Sequence, residues 1–142
     1  MAFERVYTIW DYYDGPRSGI ANVNGQPHYY DCEWSDEQDD FANTFLVVPV
    51  DEEKLAIALK DWESWRKWEF AFHRGELDLS THPVNVTGVP SHASFEAEFR
   101  SKIDVLRANS VRLHAQFRAL PGQDELPQGV MRALEVEWTS CA

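Results

Sequence analysis

The sequence has only two cysteines and no long hydrophobic run. The thiols of Cys32 and Cys141 are too few for a disulfide framework and are typical of a protein in a reducing cytoplasm. The longest apolar run covers residues 45–50 and includes Pro49, whereas a membrane-spanning helix needs about 20 apolar residues. The N-terminal residues also lack the apolar core of a signal peptide. We therefore expect a cytoplasmic protein that does not cross a membrane.

Positive charge is scarce and is missing altogether from one stretch of the chain. There are 13 Lys and Arg against 24 Asp and Glu, a formal net charge of −11, and no Lys or Arg lies between Arg17 and Lys54. A nucleic-acid-binding protein needs a basic surface that neutralises phosphates. A peripheral membrane protein needs clustered Lys and Arg to attract anionic lipids. The charge balance therefore predicts that the protein binds neither nucleic acid nor a membrane.

The usual sequence signatures of catalysis are also missing. The chain has no HExxH, CxxC or His-x-His pattern for a metal, no P-loop or GxGxxG for a nucleotide, and no GxSxG around a serine nucleophile. Glu69 and His73 have the i,i+4 spacing of two ligands on one helix face, but an open catalytic metal site needs about three protein ligands. The sequence thus predicts no metal, no cofactor and no catalytic residue, and it argues more against an enzyme than for one.

The first half of the chain predicts strands followed by one long helix. Residues 3–50 are rich in β-branched and aromatic residues. Asn24-Gly25 is a strong hairpin signal, because a type I′ turn needs two positive φ angles. We expect a four-stranded meander here, curled toward a small barrel. A helix over residues 51–74 should follow, since acidic residues fill its first turn and Gly75 suits the position after its last turn.

The second half is less regular. Residues 75–91 show no hydrophobic period and are predicted to be a loop, whereas residues 92–108 carry apolar residues on one helical face and are predicted to form a second helix. Residues 111–120 alternate like a half-buried strand, although their apolar positions also fit a continued helix. We favour the strand, as part of a C-terminal hairpin over residues 111–138. Arg112 and Arg118 would then face Glu135 and Glu137 on the solvent side of this hairpin.

These segments together predict one α+β domain covering residues 1–142. An antiparallel sheet of five or six strands, barrel-like in its curl, should pack on the long Trp-rich helix, with the second helix beside it. The length agrees with this, because 142 residues are typical of a single domain.

Two short motifs near the N-terminus resemble those of a known group of sequences. Residues 14–19 read Asp-Gly-Pro-Arg-Ser-Gly, and residues 25–29 read Gly-Gln-Pro-His-Tyr. This resembles a group of uncharacterised bacterial proteins that share a DGPxSG turn and a GxPH-aromatic strand. The tryptophans of residues 62–68 and the ending at residues 134–138 are similar as well. The resemblance implies a bacterial, cytoplasmic protein, and it carries over no activity and no catalytic residue.

One carboxylate falls in the middle of the apolar face of the predicted long helix. At 100° per residue, Glu69 lies among tryptophans such as Trp62 and Trp65, with Arg66 and His73 beside it. A buried carboxylate must be paired or protonated, and Arg66 and His73 are within helical reach. These five residues therefore form a candidate ligand pocket. The alternative is a purely structural Arg–Glu–His cluster where the helix crosses the sheet.

A second candidate site is the acidic stretch over residues 35–40. Charge complementarity steers association between an acidic surface and a basic protein. Aromatic residues nearby are of the types that anchor interfaces, although most of them are expected to serve the core: Trp34, Tyr29, Tyr30 and Phe41. The alternative is a solvated face that only keeps the protein soluble. The candidate surface for a basic protein partner consists of Asp36, Glu37, Asp39 and Asp40.

The sequence therefore predicts a non-enzymatic, soluble interaction protein of bacteria with an acidic N-terminal face. The alternative function is a small-molecule or enzymatic pocket built around Arg66, Glu69 and His73. The oligomeric state stays open.

Overall fold

The computed structural model describes residues 2–75, 111–123, 126 and 131–141. Within these residues the chain forms six strands and one α-helix, α1, between the fourth and fifth strands. The elements are β1 Glu4–Tyr12, β2 Pro16–Val23, β3 Gln26–Ser35, β4 Asp40–Pro49, α1 Glu52–His73, β5 Val111–Ala119 and β6 Leu134–Ser140.

The six strands form a closed antiparallel barrel. Each strand pairs with the next along the chain, and β1 closes the barrel on β6. The closing pairs are Glu4 with Val136 and Arg5 with Glu135. A barrel with one helix agrees with the predicted α+β class, and the expected curl of the sheet is here full closure, which leaves no open sheet edge.

The β2–β3 hairpin has the register that its turn predicts. Asn24 and Gly25 have φ angles of 52° and 77°, as a type I′ turn requires, and Gly19 pairs with Tyr30. An added Cβ at Gly19 would lie 2.1 Å from the carbonyl oxygen of Thr8. The bare glycine lets β1 and β2 approach there, and the Tyr30 hydroxyl donates to that same oxygen at 3.0 Å.

Strand β4 is buried on both faces over residues 45–48, which explains its unbroken apolar run there. Tyr29 belongs to an outer cluster under α1, and its neighbour Tyr30 belongs to the barrel interior. The outer cluster consists of Ile20, Tyr29, Leu46, Val48, Val50 and Ala58. The interior cluster consists of Ala21, Val23, Tyr30, Cys32, Phe45, Val47, Val136 and Trp138. The helix therefore covers one outer wall of a barrel that is itself filled by side chains.

Helix α1 begins and ends on the local signals that its sequence carries. The Asp51 side chain accepts a hydrogen bond from the backbone N–H of Lys54 at 2.7 Å, which caps the N-terminus. Gly75 follows the helix with a φ of 78°. The rings of Trp62 and Trp65 stack at 5.1 Å between centroids. The described helix is not long and apolar enough to span a membrane.

The C-terminal strands pair as the alternation predicts, with one difference. Arg118 forms an ion pair with Glu135 across the β5–β6 ladder, as the sequence suggests. Arg112 was expected to face the glutamates of β6, but this was wrong, because it pairs with Glu33 on β3. The predicted loop from residue 76 and the second helix over residues 92–108 lie outside the described residues and stay predictions.

Candidate functional site

Arg66 and Glu69 together hold both backbone polar groups of Met131, in the chain that leads into β6. Arg66 Nη1 donates to Glu69 Oε1 at 2.5 Å and to the carbonyl oxygen of Met131 at 2.7 Å. The backbone N–H of Met131 in turn donates to Glu69 Oε2 at 3.4 Å. We call this arrangement the Arg66–Glu69 clamp. It ties α1 to a residue more than sixty positions away and satisfies both buried charged groups.

The electrostatics of the clamp explain the state of its carboxylate. Burial raises the pKa of Glu69, because desolvation disfavours the charged form. The charge of Arg66, the hydrogen bond from Met131 and the charge of His73 all act in the opposite direction, and the net result is still a raised pKa. A carboxylate held this way by a cation and a backbone N–H fits a structural role.

The other members of the predicted pocket do not all converge on this point. His73 is exposed in the last turn of α1, where its ring meets the edge of Phe72 at 5.3 Å between centroids. Trp65 stacks on Trp62. Trp62 and Arg66 line a cavity of about 710 Å³, and Trp65, Glu69 and His73 are not part of its lining. The predicted set is therefore split between the clamp, the helix end and this cavity.

This cavity lies between β1, α1 and the chain entering β6, and we call it the helix-side cavity. Most of its wall is apolar, with three arginines and three glutamates around it. The apolar lining is Phe3, Val6, Tyr7, Ile9, Leu59, Trp62, Leu120, Ala133 and Leu134; the charged lining is Glu4, Arg5, Glu63, Arg66, Arg132 and Glu135. Sequence reasoning missed Arg132, because no local pattern connects it with the helix.

The predicted acidic surface is exposed and contiguous with more carboxylates than the sequence singled out. Asp36, Glu37 and Asp39 lie in the β3–β4 turn, and Asp40 begins β4; all four are exposed. Two adjoining grooves, of about 560 and 960 Å³, run beside this turn and share Asp11, Arg17, Trp34 and Phe41. The acidic residues lining them are Asp11, Asp14, Asp31, Glu33, Asp36, Asp39 and Asp40.

Large aromatic side chains stand among these carboxylates. Trp34 is 53% exposed and Tyr13 is 67% exposed. Both pack on Phe41, with ring centroids 5.2 Å and 6.1 Å away. We call the surface formed by Asp11, Tyr13, Asp14, Trp34, Asp36, Asp39, Asp40 and Phe41 the acidic–aromatic face. The sequence also pointed to Tyr29 and Tyr30, which are buried, and it missed Tyr13, since nothing in its pattern separates the three tyrosines.

Arg17 supports the acidic–aromatic face from within. Its Nε donates to the carbonyl oxygen of Tyr13 at 2.7 Å and its Nη2 to that of Asp14 at 3.2 Å. Its Nη1 donates to Cys32 Sγ at 3.6 Å, and the guanidinium lies 4.4 Å from the ring centroid of Phe41. Each guanidinium nitrogen therefore has an acceptor, and the residue holds the β1–β2 turn in place.

Cys32 lies below this surface and is a poor nucleophile. Burial raises the pKa of its thiol, and the hydrogen bond and charge of Arg17 only partly offset this. A thiol with a raised pKa carries little of the reactive thiolate at neutral pH. Among the described residues no group of three or more His, Cys, Asp or Glu side chains is arranged to hold a metal ion.

Comparison with known proteins adds no assignment. No family model, curated protein or solved structure matches this chain. The function of the protein must therefore be inferred from its own geometry, and the resemblance to the bacterial group stays a prediction.

Proposed function

We propose that this chain is a non-enzymatic interaction protein whose acidic–aromatic face binds a basic segment of a partner protein. One observation carries the proposal: Trp34 and Tyr13 are largely exposed on either side of Phe41, in a groove lined by carboxylates. Exposed aromatic side chains grouped in a concave, charged surface are typical of binding sites.

The charge of the face favours a cationic partner. The structure places two basic residues in the lining of its grooves, Arg17 and Arg112. Arg17 donates to neutral groups of the protein itself, and Arg112 pairs with Glu33. An incoming cation therefore meets exposed carboxylates such as Asp36 and Asp39. Surface charges of this kind raise the association rate and select partners of opposite sign.

The aromatic residues supply the affinity that exposed charges lack. Exposed ion pairs contribute only about 0–1 kcal/mol each. A Lys or Arg side chain over an aromatic ring gains about 0.5–2 kcal/mol more, and Trp is the best such ring. The cluster already holds one guanidinium, that of Arg17 over Phe41. A Lys or Arg of the partner could make the same kind of cation–π contact with the exposed ring of Trp34 or Tyr13.

A cytoplasmic location is part of this proposal. Cys32 and Cys141 are both free thiols, and unpaired thiols suit a reducing compartment. A bulk electrostatic attraction to any polycation is the alternative that an experiment must separate from a defined site, since the whole chain is acidic.

The test is the binding of a fluorescein-labelled octa-arginine peptide, measured by fluorescence anisotropy at about 0.1 M salt. The face variant combines Asp36→Asn, Asp39→Asn and Asp40→Asn. The matched control combines Glu52→Gln, Glu53→Gln and Glu63→Gln on the exposed side of α1. Both variants lose the same net charge, so only the position of the charges differs. Trp34→Ala tests the aromatic part separately.

We expect the face variant to bind the peptide about tenfold more weakly, because three ion pairs of about 0.2–1 kcal/mol each are lost. The helix control should change the affinity less than twofold, and Trp34→Ala should weaken binding severalfold. Equal weakening by both triple variants would show nonspecific attraction to the acidic chain. An unchanged affinity in Trp34→Ala would remove the aromatic residues from the site.

A further inference from the structure

The helix-side cavity has the size and wall of a small-molecule site. Its volume of about 710 Å³ falls within the range of about 300–1,000 Å³ that ligand pockets show. The wall is mainly apolar, and Trp62 provides a large aromatic surface in it. Among the described residues, the cavity and the grooves of the acidic–aromatic face have no lining residue in common, so the two are separate sites.

One charged group in this wall lacks an acceptor. Arg132 Nη1 is buried and has no hydrogen-bond partner among the described residues. The carboxylates that line the cavity with it have other partners: Glu4 accepts from the backbone N–H groups of Asn24 and Gly25, Glu63 pairs with Lys67, and Glu135 pairs with Arg118. A buried donor left without an acceptor costs about 1–3 kcal/mol, so an acceptor that a ligand brings to this guanidinium would stabilise the complex.

The chain holds Arg132 in position through its neighbour. The Arg66–Glu69 clamp binds both the N–H and the C=O of Met131, the residue directly before Arg132. The backbone that carries Arg132 is therefore fixed against α1. Arg66 also lines the cavity but is engaged by Glu69 and Met131. Arg5, the third arginine of the lining, is exposed and lies over the ring of Tyr7. Among the described residues, Arg132 is consequently the lining arginine with a buried donor to spare.

We propose that the helix-side cavity binds a small amphiphilic monocarboxylate, with its carboxylate on Arg132 and its apolar body against Trp62. An arginine recognises a carboxylate through charge-assisted hydrogen bonds. Glu4, Glu63 and Glu135 also line the cavity, and their charges disfavour a multiply charged group such as a phosphate. One negative charge on an apolar body matches this wall.

The probe for this site is 1-pyrenebutyrate, whose fluorescence reports transfer from water into an apolar cavity. Its matched neutral analogue is 1-pyrenebutanol, which keeps the apolar body and lacks the carboxylate. Binding is measured with the full chain for both compounds. Three variants are compared: Arg132→Gln, Arg132→Lys, and the control Arg5→Gln, which removes the same charge from another arginine of the lining.

We expect wild-type protein to bind the acid at least tenfold more tightly than the alcohol, because a hydrogen bond to a charged group is lost with the alcohol. Arg132→Gln should abolish that preference, and Arg132→Lys should keep part of it. Arg5→Gln should leave it within twofold. The affinity for octa-arginine should be the same in all three variants, which separates this site from the acidic–aromatic face.

Three results would overturn the proposal. Equal affinity for 1-pyrenebutyrate and 1-pyrenebutanol would show that no cationic side chain of the cavity binds the carboxylate. An unchanged preference in Arg132→Gln would place the carboxylate elsewhere. A marked loss of thermal stability in Arg132→Gln would show that the guanidinium is used within the fold, since a donor without a partner costs nothing when removed.

Discussion

The Arg66–Glu69 clamp makes a quantitative prediction about stability. The Glu69 side chain is 7% exposed and that of Arg66 is 18% exposed. Removing one partner of a buried ion pair costs about 3–5 kcal/mol, because the other charge is left uncompensated. In Arg66→Met the carboxylate keeps one long hydrogen bond, that from Met131 at 3.4 Å, and water reaches the partly exposed edge. We therefore expect a loss of about 2–3 kcal/mol in the free energy of unfolding at pH 7.

The pH dependence of this loss identifies its cause. Burial raises the folded-state pKa of Glu69 above its unfolded value. The fold therefore favours the protonated carboxyl group of Glu69. The contribution of this group to the free energy of unfolding is complete at a pH below its unfolded-state pKa, about 4.3, and it is lost as the pH rises through the folded-state pKa. Arg66 opposes this shift, so Arg66→Met should raise the pKa further. The destabilisation by Arg66→Met should accordingly shrink between pH 7 and pH 5.

A double variant separates charge from packing. Arg66→Met with Glu69→Met removes both charges at similar volume, and such exchanges of a buried pair are often neutral. It should recover most of the stability that Arg66→Met loses. Urea unfolding followed by circular dichroism measures all variants. With a slope of about 2 kcal/mol per molar urea, the single variant should shift the midpoint by about 1 M. If the urea midpoint of Arg66→Met shifts by less than about 0.2 M, or by the same amount at pH 5 and at pH 7, this account is refuted.

Two further predictions concern the barrel. Gly19→Ala should destabilise the protein by about 3 kcal/mol or more, because its Cβ would overlap a backbone oxygen of β1 and force the strands apart. Gly25→Ala, with open space around it, should cost only about 1 kcal/mol for its positive φ; equal losses in urea unfolding would contradict the close approach. Iodoacetamide at pH 7 should alkylate Cys141 well before Cys32, whose pKa burial raises. Mass spectrometry of peptides would detect the reverse order, which would contradict the burial of Cys32.

Local signals account for much of the barrel. The Asn24-Gly25 dipeptide determines its turn and therefore the register of β2 against β3. The cap at Asp51 and the glycine at position 75 mark the ends of α1. Alternating side chains in residues 111–119 predict β5, since a strand with one face inward shows period two. In each case the determining residues lie within a few positions of the structure they specify.

The features that sequence reasoning missed depend on long-range contacts. Closure of the barrel needs β1 to meet β6, which it does through two residue pairs near Glu4 and Arg5. The helical spacing placed Arg66 beside Glu69 correctly. The backbone N–H and C=O of Met131, which complete the clamp, come from a distant segment, as does Arg132 after them. No period or motif within one segment reports which side chain of another segment will face it.

The same limit applies to the exposure of aromatic residues. Tyr13, Tyr29 and Tyr30 are chemically identical, but the first is 67% exposed and the other two are fully buried. The difference arises because β3 lies between two strands and under α1, whereas Tyr13 lies in the turn after β1. The sequence therefore predicted an acidic surface with aromatic residues near it, and only the fold showed that Tyr13 is exposed there whereas Tyr29 and Tyr30 are not.

The central claim is that the acidic–aromatic face is a binding site for a basic segment. The most direct test is a ¹⁵N NMR titration of the uniformly labelled protein with unlabelled octa-arginine, read residue by residue. We predict saturable shift changes confined to residues 11–17 and 31–43, together with the indole N–H of Trp34. Shift changes of similar size on the exposed acidic residues of α1, or changes that do not saturate, would contradict a defined site.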